Sequence, residues 1–154
     1  MKKFQKSLNL TMAVVCVLGI CFLLMLIFGP RVFTTYCEAA HKSENALKAL
    51  IGVFYACSPS AFVTLLYIFK FTNNLKKGEV FTQKTIKYLK ILSYACISVV
   101  PLSLPLCYFF LAGFPIPASA AFMWLFLRVL INAFEMGNEI KDENDLTVYI
   151  WVLL

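Results

Sequence analysis

Four long apolar runs alternate with shorter polar stretches along the chain. A helix that crosses a bilayer needs about 20 mostly apolar residues. The first run, LTMAVVCVLGICFLLMLIFG over residues 10–29, carries no charge and is followed by Pro30 and Arg31, which are expected to end it. Runs over residues 49–69, 91–111 and 116–134 predict three more spans. The second run contains Pro59 between Ser58 and Ser60. Proline has no N–H to donate, so a kink is expected there, with the serines and neighbouring helices able to satisfy the freed groups. Pro101 and Pro105 lie four positions apart on one face of the third run. Only GFPIP (113–117) separates the third and fourth runs, short enough for a tight antiparallel hairpin. The pattern predicts an all-α integral membrane bundle of four transmembrane helices, one domain over residues 1–148, and then a short apolar tail over 149–154.

Composition supports this class. Of 154 residues 61% are hydrophobic and 14% charged, and mean hydropathy is +0.80. A soluble domain holds roughly a quarter charged residues. The MKKFQK start fits the n-region of a signal peptide, but the run after it exceeds the usual h-region of about 7–15 residues and no A-x-A site follows directly. A retained helix is therefore expected.

Charge then orients the spans. Net charge is +6, and Lys70, Lys76, Lys77, Lys84, Lys87 and Lys90 crowd the second connection. In a membrane protein such a cluster marks a cytoplasmic loop before it suggests nucleic acid, so no direct nucleic-acid binding is expected. Lys2, Lys3 and Lys6 put the N-terminus on the same side, and four spans return the C-terminus there. Within this connection Asn73 and Asn74 read as a polar break, Gly78 as a turn and Thr82 as the N-cap of a helix entering the third span. The lysines here favour anionic headgroups by about 1 kcal/mol each. Tyr108, Phe109, Phe110 and Phe114 gather with Phe122 and Trp124 around the third connection. An interfacial belt and plain bundle packing both account for the phenylalanines.

Candidate chemistry is sparse. Arg128, Asn132 and Glu135 share one face of the fourth helix. A polar seam for a ligand or partner helix is one reading. The other is that Arg128, about 10 Å of helix from Glu135, snorkels to the interface. No span has Asp or Glu at its middle, which speaks against a proton-coupled exporter. The lone histidine, His41, lies in an outer loop, so an intramembrane Ser–His pair is excluded. Cys37, Glu38 and His41 have spacings that ligands on a helix can have, but a solvated loop helix explains them better, and neither metal nor cofactor is expected. Five cysteines fall in apolar runs and read as small buried hydrophobes, whereas Cys37 falls in a polar loop.

One further stretch breaks the apolar pattern. NEIKDENDLTV (138–148) sets Glu139, Asp142, Glu143 and Asp145 close together before YIWVLL. Asn144 and Asp145 are good turn residues, so helix 4 is expected to stop there. Leu146 and Val148 would then fold back, and the acids would latch onto Lys76, Lys77 and Lys84.

The segments KKGEVFTQKTIKYLKIL and MGNEIKDENDLTV resemble two marks of the bacterial family called domain of unknown function 2975. The residues that carry the resemblance are Gly78, Phe81 and Thr82, then Gly137 and residues 143–148. Ile140 stands where the family pattern often has Leu, and YIWVLL extends past its usual ending. The resemblance implies a small four-span protein without established enzymatic activity, often encoded beside a small helix-turn-helix regulator. The expected role is a non-enzymatic, multi-pass protein of the bacterial plasma membrane that senses the envelope and contacts such a regulator in the cytoplasm. Its interaction or latch residues would be Lys76, Lys77, Gly78, Phe81, Thr82, Arg128, Asn132, Glu135, Glu143, Asn144 and Asp145. A small transporter, channel or peptide-immunity protein is the alternative, and self-association stays open.

Overall fold

A computed structural model describes the backbone of residues 2–78 and 82–153, with the side chains of 6–78, 82–111 and 113–144. The chain is all-α in this description. Its order is α1 (Lys2–Ala39), α2 (Glu44–Lys76), α3 (Gln83–Phe109), a 3-10 turn (Leu111–Gly113) and α4 (Pro115–Leu153). All four helices are long and apolar enough to cross a membrane, in agreement with the four apolar runs.

The helices extend well beyond those runs, and three expected stops are overturned. Pro30 does not end α1, which continues to Ala39. A proline withholds one N–H from the carbonyl four residues back. Here that carbonyl belongs to Leu26, and the Tyr55 hydroxyl of α2 donates to it at 2.9 Å. The lost bond is replaced from the neighbouring helix, so the helix can run on. Asn73 and Asn74 do not break α2, which ends at Lys76. Asn144 and Asp145 do not stop α4, which is helical through Leu153, and the expected fold-back of the tail is overturned with it. Asn and Asp cost an α-helix only part of the ~1 kcal/mol that Gly costs. One of these polar side chains is satisfied within the helix, since Asn138 donates to Asp142 at 3.0 Å.

The connections are tight. α1 ends in a Schellman motif: His41 N–H donates to the Glu38 carbonyl and Lys42 N–H to that of Cys37. His41 takes the left-handed conformation this motif requires, at φ 49°. Ser43 then caps α2 by accepting from Ala46 N–H. Pro115 opens α4 at the first position of a helix, where the missing N–H has no intrahelical partner to lose.

Successive helices pack side by side in the order α1, α2, α3, α4. Among the described residues, no close backbone packing joins α1 to α4. Two apolar clusters hold the array at its two ends. Toward the lysine-rich end, Ile86, Leu89 and Leu92 of α3 bury against Leu127 and Ile131 of α4, with Tyr67 and Phe71 of α2 alongside. At the opposite end, Cys37 of α1, Ala46 of α2, and Leu106 and Phe110 form the second cluster. Between them Ser60 of α2 donates to the Ala95 carbonyl of α3 at 2.6 Å and lies 3.1 Å from the Ser98 hydroxyl. Ser58 donates to the Phe54 carbonyl of its own helix. Neither serine therefore serves the Tyr55 carbonyl that Pro59 frees.

The cysteine expectations are partly reversed. Cys37 is buried, while Cys16 and Cys21 are exposed. The cause is the length of α1: its extra turns carry Cys37 into the cluster formed with Ala46, Leu106 and Phe110, while among the described residues the close backbone packing of α1 is to α2 alone. Of the expected aromatic belt, Phe110 is core, whereas Tyr108 and Phe114 are exposed at 87% and 66%.

Candidate functional site

The lysine-rich end is built around the turn from α2 to α3. Gly78 closes α2 at φ +82°, the left-handed region that favours glycine. Thr82 caps α3 in extended conformation and accepts from Thr85 N–H. Both were legible in the sequence. Thr85 was not: it is fully buried, its hydroxyl lies 3.0 Å from that of Thr82 and 3.5 Å from the Asn74 amide nitrogen. The residue read as a helix breaker thus ties the end of α2 to the start of α3. Lys76 and Lys77 stay exposed beside this junction. Phe81 lies outside the described residues.

One helix turn further in, the seam between α3 and α4 is ionic. Lys90 Nζ sits 2.7 Å from Glu135 Oε1, with both side chains half-exposed. Glu135 is one of the residues expected to matter. Its partner Lys90 was read only as part of the basic connection, because nothing in the sequence says which face of α3 meets α4. Arg128, two turns below Glu135, lays its guanidinium over the Trp124 ring at 5.5 Å. Lys90, Ser93, Tyr94, Arg128 and Ile131 together line a cavity of about 180 Å³ on this flank. Asn132 is exposed beside it and does not line it. The expected seam therefore closes onto α3 through Glu135, while Arg128 stays open.

The acidic stretch rides on α4. Glu139, Lys141, Asp142, Glu143 and Asn144 are exposed on this helix, next to the buried Asn138, and the Asp145 side chain lies outside the described residues. An ion pair that ties α3 to α4 is Lys90–Glu135, one turn nearer the bundle than these acids.

Among the described residues no group of three or more His, Cys, Asp or Glu side chains is placed to hold a metal. Further grooves run between the helices, and their walls are apolar. One is lined by residues of all four helices, including Leu18, Phe22, Leu65 and Met123. Comparison with protein-family models, curated proteins and solved structures found no match. The function is therefore argued from the residues themselves.

Proposed function

We propose that the chain is a non-enzymatic, multi-pass protein of a bacterial plasma membrane that relays an envelope state to a cytoplasmic partner, a small helix-turn-helix regulator. The lysine-rich end faces the cytoplasm in this reading, because Lys and Arg are retained on that side. One observation carries the proposal: α4 runs unbroken from the bundle through Leu153. The 18 residues beyond Glu135 make a rod of about 27 Å, long enough to stand clear of the bilayer and present Glu139, Asp142 and Glu143 to a soluble protein. The family resemblance at Gly78, Thr82 and residues 143–148 points the same way.

The test is a charge-neutral variant, Glu139→Gln with Asp142→Asn and Glu143→Gln, expressed at the native level. The expected result is loss of regulator co-purification together with a change in the transcripts it controls. Unchanged capture and unchanged transcripts would sink the proposal. A transporter, channel or peptide-immunity role is the second reading, and the groove lined by all four helices favours it. Apolar walls suit a hydrophobic ligand better than a hydrated ion. Unaltered flux and peptide resistance in Arg128→Ala would remove its support.

A further inference from the structure

The flank of α3 and α4 carries a second site. Its parts are two cations, one carboxylate, a phenol and an apolar surround. Lys90 has one of its three N–H donors directed at Glu135. Arg128 stacks on Trp124 and makes no ion pair among the described residues. Stacking occupies the face of a guanidinium and leaves its N–H edge free. Tyr94 is 66% exposed beside these groups, and the helix face around Arg128 continues in Leu125 and Val129, exposed at 55% and 67%. Lys90 and Arg128 less Glu135 leave a net charge of 2 − 1 = +1 around the cavity.

This arrangement has a charge without a counter-charge and a lipid-facing wall beside it. Arg128 lies about 10 Å of helix inside Glu135, where an arginine lacking an anion is expensive. A phosphodiester carries one negative charge and offers two oxygens to a guanidinium fork. Its acyl chains would lie along Leu125 and Val129. We propose that the pocket lined by Lys90, Ser93, Tyr94 and Arg128 binds the phosphate of an anionic lipid headgroup in the leaflet at the lysine-rich end. Arg128 grips the phosphate edge-on, Lys90 supplies the second positive charge, and the Tyr94 hydroxyl is a third donor. A zwitterionic lipid brings its own ammonium into the same space and gains less. The proposal rests on the chain lying in a membrane and is independent of any regulator.

Trp124 reports on the site. The chain has two tryptophans, so Trp151→Phe leaves Trp124 as the single fluorophore. The full chain is reconstituted into vesicles of phosphatidylcholine and phosphatidylglycerol, with bromine placed near the headgroup end of the acyl chains of one lipid or the other at equal mole fraction. Brominated phosphatidylglycerol is expected to quench about two- to fivefold more strongly than brominated phosphatidylcholine. Arg128→Lys should retain much of that preference, and Arg128→Gln should lose it. Equal quenching by the two lipids in the Trp151→Phe protein overturns the proposal, as does a preference that survives Arg128→Gln. Suppression of the preference by millimolar inorganic phosphate would reassign the pocket to a soluble phosphate and overturn its lipid identity. Quenching by neither lipid contradicts the membrane placement itself.

Discussion

Tyr55→Phe removes one hydroxyl and leaves the ring in place. That hydroxyl donates across the α1–α2 seam to the Leu26 carbonyl at 2.9 Å, the carbonyl that Pro30 deprives of its helical partner. The ring itself is anchored separately, edge-on to Phe54 at 5.6 Å, and Phe54 in turn packs on Phe33 of α1 at 5.2 Å. The substitution should therefore preserve the seam and delete only the bond. Bonds between helices in a membrane are worth about 0.6 kcal/mol on average and up to about 1.7. Tyr55→Phe should fall in the upper half of that range, because the abandoned carbonyl has no water to turn to. The decisive measurement is a double-mutant cycle with Pro30→Ala, unfolded in mixed micelles and followed by circular dichroism. Alanine restores the N–H to Leu26, so the hydroxyl is no longer needed and the cost of Tyr55→Phe should shrink toward zero. An equal cost in both backgrounds would show that Tyr55 and Pro30 act independently and refute the reasoning.

Other perturbations test other joints. Gly78→Ala meets open space at its Cβ but keeps φ +82°, so it should destabilise by about 1–2 kcal/mol through backbone strain alone; an unchanged thermal midpoint in detergent would contradict this. Ser60→Ala deletes the bond to the Ala95 carbonyl and the Ser98 contact and should destabilise by about 0.5–2 kcal/mol, seen as a lower thermal midpoint in the same detergent. Lys90→Glu should destabilise by about 1 kcal/mol or less, with recovery in the swapped Lys90→Glu, Glu135→Lys protein; no recovery means that the pair is not formed. Spin labels placed in pairs at residues 132 and 144 should lie about 18 Å apart along the helix axis, and a broad or much shorter distance distribution would argue against the continuous α4.

Hydropathy revealed the number and order of the spans because lipid-facing residues must be apolar whatever their partners. Thr82 and Gly78 were legible because a cap and a left-handed turn are local demands on a single residue. Helix ends were not legible at Pro30, Asn74 or Asn144, since backbone hydrogen bonding continues past polar residues wherever something replaces what is lost. At Pro30 that something is Tyr55, 25 positions away, and at Asn74 it is the buried Thr85. The candidate site divides in the same way. Arg128 and Glu135 stood out as charges on an apolar face, but Lys90, Ser93 and Tyr94 join them only once the rotation of α3 against α4 is fixed.

Among the described residues, close backbone packing joins only helices that follow one another in sequence. Each helix after α1 therefore finds a packing partner in the segment made just before it. Insertion from a ribosome can then proceed as a zipper, with α2 docking on α1, α3 on α2 and α4 on α3. No segment has to wait in the lipid for a distant mate, so few exposed intermediates arise in which a wrong neighbour could be captured.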